Sequence, residues 1–238
     1  MDFAKFVALL TDGGMYFSRV DLLGDRFEGV RGIASREPEW RQYSLTYLMA
    51  AILNPPHGSP APDAKVALEQ TEELYSQITA AGEREIKESF VCCWHENEVE
   101  SEGLWRLYCP PPSAGVAIHT DFVSLDAALD PSFGAVFGHV RYIDFNNAFA
   151  GTYDRIFWKR KSLSHEAEVR GVVHRRGMEA DPPPSGVIVP ADLKVLIKKL
   201  VISPFAPPWF EAALQKAIKT FNLTLPVCRS ELTAEPFF

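Results

Sequence analysis

Two acidic residues late in the chain have the spacing that acid–base chemistry requires. Glu166 and Glu168 are two positions apart, so on a strand both carboxylates project from the same face. Like charges held this close raise the pKa of at least one carboxyl group, which is one way to make a general acid or a tuned base. Arg170 continues the same face and would offset the repulsion. The same pattern is also typical of a solvated edge strand laced by ion pairs.

Aromatic residues in the middle of the chain are candidates for the walls of a binding pocket. Trp94 ends a predicted strand, and the helix that follows carries Trp105 and Tyr108, which are three positions apart and therefore on one face. Because only a short loop separates strand and helix, we expect both rings to pack against the end of that strand. The alternative is that these rings belong to the core, since large aromatic side chains usually supply buried area.

The other polar clusters give weaker chemical signals. The basic run Lys159–Lys161 is typical of a solvated face, although it could instead bind a phosphate group of a ligand. A zinc set can be drawn from Cys92, Cys93, His95 and Cys109. These residues lack the regular short spacings of zinc sites, so we interpret the cysteines as small apolar residues and expect no metal.

Composition and missing motifs exclude several classes of protein. The chain has 238 residues, of which 47% are hydrophobic and 23% charged, which is the composition of a globular domain rather than of a disordered chain. A net charge of -7 gives no basic surface for non-specific nucleic-acid binding. No apolar run approaches the length of a membrane span, so we expect no membrane partner and a cytoplasmic location. The P-loop, the dinucleotide-binding glycine motif, the hydrolase nucleophile motif and the zinc-protease motif are all missing from the sequence.

Turn residues and apolar periodicity divide the chain into helices and strands. Helices are predicted from Asp2, Pro38 and Asp63, and a short strand over Met15–Ser18 follows the first of them. Asn97 and Glu100 form a predicted cap for the helix that carries Trp105. Four apolar runs of strand length are expected to share one sheet: Phe90–Trp94, Gly115–His119, Val140–Phe145 and Val169–His174.

The order of these elements predicts the fold class. Helices come first, strands cluster in the centre, and the two kinds alternate at the end, with further helices predicted over Asp192–Ile197 and from Pro207. This is an α+β order rather than regular βαβ winding. We therefore predict one domain over residues 1–238, with a central mixed or antiparallel sheet of four or more strands and helices around it. The segment Asp181–Gly186 is interpreted as a loop within that domain.

An ordered set of segments resembles a known bacterial family. In chain order they are YFSRVDLLGDRFEG, CWHENE, LWRLY, GVAI, VRYIDF, HEAEVR and SPFAPPWF. Together they cover nearly the whole chain and resemble the family catalogued as domain of unknown function 2971. The resemblance implies a single-domain, cytoplasmic protein of bacterial or phage origin, with no established activity to transfer. The chain departs from the family where Asp25-Arg26 stands in place of the usual Asp-Pro before Phe27-Glu28.

Two classes of function remain, and the first is an enzyme of the ADP-ribosyl-transfer type. Such enzymes are similar in having an early strand with a basic residue, a Ser- or Tyr-bearing strand and a late E-x-E. A carboxylate beside the ribose would stabilise the oxocarbenium-like state as nicotinamide leaves, and aromatic walls would exclude water. The candidate catalytic residues are Glu168, Glu166 and Arg19, and the candidate contacts to NAD are Ser18, Trp94, Trp105, Tyr108 and Arg170. A structure in which Glu168 and Arg19 share one cleft with Trp94 or Trp105 would favour this interpretation, whereas an open sheet edge with both glutamates paired only to Arg170 would count against it.

The second class is a non-catalytic binding or regulatory domain of a bacterial defence or toxin–antitoxin locus. In that case the same residues form a surface for a nucleotide ligand or a protein partner, and no cofactor is required. We expect this class, with the NAD-consuming enzyme as its alternative.

Overall fold

The computed structural model describes residues 1–56, 59–151, 154–175 and 183–237. Part of the predicted loop Asp181–Gly186 therefore lies outside the described residues. The α-helices within them are α1 (Phe3–Asp12), α2 (Glu37–Leu53), α3 (Ala64–Lys87), α4 (Glu102–Tyr108), α5 (Phe122–Ala128), α6 (Leu193–Leu196) and α7 (Phe210–Thr220). The strands are β1 (Gly14–Arg19), β2 (Ser89–His95), β3 (Val116–His119), β4 (Val136–His139), β5 (Arg141–Ile143), β6 (Trp158–Arg160), β7 (Glu168–His174), β8 (Gly186–Pro190), β9 (Lys199–Ile202) and β10 (Val227–Arg229).

A five-stranded antiparallel sheet organises the domain and confirms the predicted α+β class. Its strand order is β4-β7-β2-β1-β8, and every neighbouring pair runs antiparallel. A second sheet has the order β10-β9-β3, and β5 pairs with β6 in a third. Helices surround the main sheet within a single domain.

The two faces of the main sheet differ in chemistry because side chains alternate along each strand. One face carries apolar residues such as Phe17, Phe90 and Val173, which pack in the main core with Phe6 of α1 and Phe210 of α7. The opposite face carries a small apolar cluster and, beside it, charged residues of β7. The candidate site lies on this second face.

Local signals correctly predicted the first helix, strand and turn. Asp2 caps α1 by accepting a hydrogen bond from the amide of Lys5 at 2.8 Å, and Gly13 ends the helix with φ of 59°. The strand predicted after this turn is β1. The helix predicted from Asp63 is α3, which Asp63 caps, and it continues to Lys87.

The predicted cap of α4 is wrong. Ser101, rather than Asn97, is the N-cap, and its hydroxyl accepts a hydrogen bond from the amide of Leu104 at 3.3 Å. Glu100 turns instead toward the C-terminal segment, where its carboxylate accepts a hydrogen bond from the Ser230 hydroxyl at 2.7 Å. A tertiary contact has therefore displaced a local capping motif.

The grouping of the four predicted strands in one sheet is also wrong. Only β2 and β7 share the main sheet, whereas β3 pairs with β9 and β5 pairs with β6. An apolar run predicts that a strand exists, but its partner depends on contacts with distant parts of the chain. The remaining places in the main sheet belong to β1, β4 and β8.

The helices of the described residues contain charged side chains among their apolar ones. The longest, α3, has 24 residues and contains glutamate, lysine and arginine along its length. Among the helices in the described ranges, none is both long and apolar enough to span a bilayer.

Candidate functional site

Five charged side chains from four segments meet on the second face of the main sheet, and we call them the charge network. Glu168 and Arg170 project from β7, and Lys159 projects from β6. Glu166 ends the 3₁₀ helix that precedes β7, and Glu28 comes from the loop after β1. Every member is buried or nearly so.

Lys159 is the hub for the three carboxylates. Its ammonium Nζ lies 2.5 Å from Glu166 Oε2, 2.7 Å from Glu168 Oε2 and 3.4 Å from Glu28 Oε1. A lysine has three N–H donors and a compact charge, so one ammonium can serve several carboxylates at once. This hub holds β6 against β7.

Arg170 is the second cation of the charge network, and its side chain is 0% exposed. Its Nε donates a hydrogen bond to Glu168 Oε1, its Nη1 donates to the Ile156 carbonyl at 2.5 Å, and its Nη2 lies 2.8 Å from Glu28 Oε2. Both carboxylate oxygens of Glu168 are therefore engaged by cations, one by Arg170 and the other by Lys159. Glu168 is also buried, so its carboxylate is held inside the network rather than presented to solvent.

The electrostatics follow from this pairing. Burial by itself would raise the pKa of Glu168, but the hydrogen bond and charge of Arg170 lower that pKa to about 2. Burial raises the pKa of Glu28, and the Arg170 charge only partly opposes this effect. Burial also opposes the charge of Lys159, but its hydrogen bonds to Glu166 and Glu168 raise the Lys159 pKa above its usual value. The network thus combines three carboxyl groups with two permanent cations.

Two tyrosines flank the network. The Tyr142 hydroxyl oxygen accepts a hydrogen bond from the Glu168 amide at 2.8 Å. Tyr108, at the end of α4, is 54% exposed. Burial of its hydroxyl and the negative charge of Glu166 raise the pKa of Tyr108 to about 12, so this hydroxyl stays protonated at neutral pH. The structure therefore brings Tyr108, Glu166, Glu168 and Arg170 into one neighbourhood.

Glu166 belongs to the charge network, but its backbone position differs from the predicted one. It does not lie on the strand with Glu168, because Ala167 between them has φ of 39° and ends the 3₁₀ helix. The side chain of Glu166 nevertheless meets that of Glu168 at Lys159. The solvated edge strand considered as an alternative is also wrong, because β7 lies between β4 and β2 and the two carboxylates are buried.

Arg19 and Ser18 lie away from the network. Arg19 is opposite Phe90 of β2, whereas Glu168 is opposite His95 at the other end of the same strand. At about 3.3 Å per residue, these positions are about 17 Å apart along β2. Arg19 is instead paired with Asp21 at 2.6 Å. In the described residues, Arg19 and Glu168 therefore do not share the cleft that would favour the enzyme interpretation.

The two tryptophans do not form a wall of the site either. Trp94 is opposite Val169 of β7, so its side chain projects from the face opposite to that of Glu168 and Arg170, where it packs against the main core. Trp105 is only 7% exposed and packs with Cys109 and Val201. The expected packing of Trp105 against the end of β2 is therefore replaced by packing on the second sheet.

Sequence reasoning missed three members of this neighbourhood, which are Glu28, Lys159 and Tyr142. Lys159 was interpreted as part of a solvated basic run, although it is buried and Lys161 is exposed. One signal was present: Lys159 directly follows the apolar run Ile156, Phe157 and Trp158, and a cation that is buried beside such a run requires a counter-charge.

The residues present do not fit NAD as a cofactor. Of the aromatic side chains proposed as its walls, Trp94 is on the opposite face and Trp105 is in the second sheet's core, so that only Tyr108 lies beside the network, and the candidate carboxylate is paired with two cations. In the part of the chain that the structure describes, no three His, Cys, Asp or Glu side chains are grouped to hold a metal ion.

Comparisons with known proteins give no further guide. No family model, no curated protein and no solved structure matches the chain.

Proposed function

We propose that the chain is a ligand- or partner-binding domain, and that the charge network supports its binding surface rather than performing a reaction. The observation that carries this proposal is the double pairing of Glu168, whose two carboxylate oxygens contact Arg170 and Lys159. A carboxylate held in this way can approach a ribose only if the network breaks. Buried networks of this kind are typical of structural support and fix the elements around them.

The surface that the network supports lies at the end of β2. Tyr108 is exposed there, and His95 Nδ1 lies 2.5 Å from the carbonyl oxygen of Glu166. His139 of β4 also contacts Glu96 at this end, with 2.8 Å between Nε2 and Oε2, but it is opposite Val169 and therefore projects from the other face of the sheet. Aromatic and imidazole groups held by a rigid floor suit recognition of a nucleotide or of a protein.

The biological setting is part of the same proposal. The resemblance to the domain of unknown function 2971 family supports a bacterial, cytoplasmic protein of a defence or toxin–antitoxin locus. The net charge of -7 favours a specific partner over non-specific binding to nucleic acid.

The test is incubation of the protein with NAD, followed by chromatographic measurement of free nicotinamide. A binding domain should return the NAD intact, with nicotinamide no higher than in the buffer blank. The variants Glu168→Gln and Glu102→Gln form a matched pair, because Glu102 is an exposed partner of Arg106 on α4. Nicotinamide release by the wild type and Glu102→Gln that is abolished in Glu168→Gln, with that variant still folded by circular dichroism, would overturn the proposal in favour of the ADP-ribosyl-transfer alternative.

A further inference from the structure

A second polar cluster lies on α3, away from the charge network, and we call it the Arg31 cluster. It contains Arg31 from the loop before α2, Trp40 of α2, Thr79 of α3, and Arg155 from the 3₁₀ helix before β6. None of these residues belongs to the site described above. Their common feature is an excess of hydrogen-bond donors over acceptors.

Contacts around Gly82 of α3 place the two arginines together. Arg31 donates from Nη2 to the Ile78 carbonyl at 3.4 Å, and Arg155 donates from Nη2 to the Gly82 carbonyl at 2.6 Å. A Cβ atom added to Gly82 would lie 3.0 Å from both Arg31 Nη2 and Arg155 Nη1. The two guanidinium groups therefore converge on the space that a larger side chain would occupy.

Trp40 packs near the backbone next to Arg31, and Thr79 lies on the helix that both arginines contact. The Trp40 ring stacks on Phe149 with 4.8 Å between centroids, and its Nε1 is 3.8 Å from the position of a Cβ on Gly32, the residue next to Arg31. Thr79 follows Ile78, whose carbonyl binds Arg31, and is three positions before Gly82. Residues three apart on a helix share a face, so Thr79 lies on the side of α3 that the arginines contact.

Unpartnered donors concentrate at this cluster. In the described residues, the buried side-chain polar atoms without a hydrogen-bond partner are Glu28 Oε2, which is ion-paired with Arg170, Trp40 Nε1, Thr79 Oγ1, Trp94 Nε1 and Arg155 Nε. Three of them belong to the Arg31 cluster. Arg155 is only 4% exposed, so its unpaired Nε is a buried charged donor. Buried donors are paired in nearly all proteins, so this set offers hydrogen bonds to an acceptor that is not part of the chain, such as water or a bound anion.

The Arg31 cluster carries an excess of positive charge, which is the sign that attracts an anionic acceptor. Arg155 has one carboxylate partner, Glu85, at 2.7 Å from its Nη2. Burial and the like charge of Arg155 lower the pKa of Arg31, and the nearby charges of Glu85 and Glu83 only partly oppose this effect. Arg36, which lies over the Trp40 ring, is already paired with Glu39. Two guanidinium groups thus share one contacting carboxylate.

We propose that the Arg31 cluster is an oxyanion-binding site that takes a phosphate group, either free or as a phosphate monoester. Arginine presents a fork of N–H donors that matches phosphate oxygens, and the Thr79 hydroxyl and Trp40 indole supply neutral donors beside it. The anion would neutralise the excess positive charge. This site goes beyond the proposed function, because it shares no residue with the surface at the end of β2.

The test is calorimetric titration of the full chain with inorganic phosphate, with adenosine monophosphate as a second arm. The wild type should bind phosphate with a Kd of about 1 mM or lower, an interaction of about −4 kcal/mol. Arg31→Ala should weaken binding by at least about tenfold, because a charge-assisted pair is lost. The matched control is Arg26→Ala, which removes the same charge from an exposed position and should leave the Kd within about twofold. Tighter binding of the nucleotide would identify a monoester as the ligand, and equal binding would identify free phosphate.

Thr79→Val separates binding from folding. Valine keeps the shape and removes the unpaired hydroxyl, so phosphate affinity should fall about threefold to tenfold while the melting temperature stays the same or rises. Absence of phosphate binding by the folded wild type at about 10 mM would overturn the site. Equal losses in Arg31→Ala and Arg26→Ala would do the same, because they would mark a diffuse surface effect. Unchanged affinity in both Arg31→Ala and Thr79→Val would also overturn it.

Discussion

The pairing of Glu168 decides how this residue acts. Glu168 and Arg170 project from one face of β7, because side chains alternate along a strand. Lys159 of β6 and Glu28 of the loop after β1 fold over that face and complete the pairing. The neighbouring carboxylates therefore lie in a compensated network, in which two cations offset their repulsion.

Burial of this network predicts a large effect of a conservative substitution. Glu168→Gln removes the charge that faces Arg170 and Lys159, leaving both cations undercompensated inside the protein. We expect the free energy of unfolding to fall by about 3–5 kcal/mol, the range for breaking one side of a buried pair. Glu102→Gln, which breaks the exposed pair with Arg106, should change it by only about 0–1 kcal/mol. Urea unfolding at pH 7 measures the free energy of unfolding of both variants relative to the wild type.

The pH dependence gives a second readout of the same prediction. The Glu168 pKa is lowered from 4.5 to about 2 by folding, so its stabilisation is complete above pH 4.5 and is lost as the pH falls toward about 2. The stability difference between the wild type and Glu168→Gln should shrink over that window. Glu28, whose pKa is raised, works in the opposite direction and gains stability on protonation. A difference that stays constant down to pH 3 would contradict the assigned pairing.

Helix and strand positions followed closely from the sequence, whereas their partners did not. Asp2, Gly13 and Asp63 mark helix ends through contacts within a few residues, and such signals are readable locally. The apolar run at β3 gives no indication that it pairs with β9, some eighty positions later. The missed strands β4 and β8 occupy the two edges of the main sheet. For the candidate site, Tyr108 and the residues of β7 were predictable from the sequence. The wall of tryptophans was predicted wrongly, because the position of Trp105 depends on which sheet α4 covers.

The start of α4 provides a test at the scale of one element. Ser101 caps the helix through the Leu104 amide, whereas Asn97 lies outside the cap. Ser101→Ala should lower the free energy of unfolding by about 1 kcal/mol, because one backbone donor at the helix start loses its partner. Asn97→Ala should change it by less than about 0.5 kcal/mol. The reverse order of effects in urea unfolding would restore Asn97 as the cap.

At the scale of the whole molecule, the two larger sheets share one core. Val116 of β3 and Leu200 and Ile202 of β9 pack in the same apolar cluster as Phe17 and Phe90 of the main sheet. Because this cluster is continuous, neither sheet can lose its packing without exposing apolar surface of the other. We therefore expect the domain to unfold as one cooperative unit.

Trp105 allows that cooperativity to be tested, because it packs with Val201 of β9 rather than with the main sheet. Trp105→Ala removes a buried ring and should cost about 3–5 kcal/mol. If the core is shared, this loss should lower the unfolding midpoint of the whole domain. The remaining tryptophans include Trp94, which packs against the main core, so their fluorescence and the far-UV circular dichroism should shift to the same new midpoint. Two separate midpoints, with the Trp94 signal unmoved, would show that the sheets fold independently and that the shared cluster does not couple them.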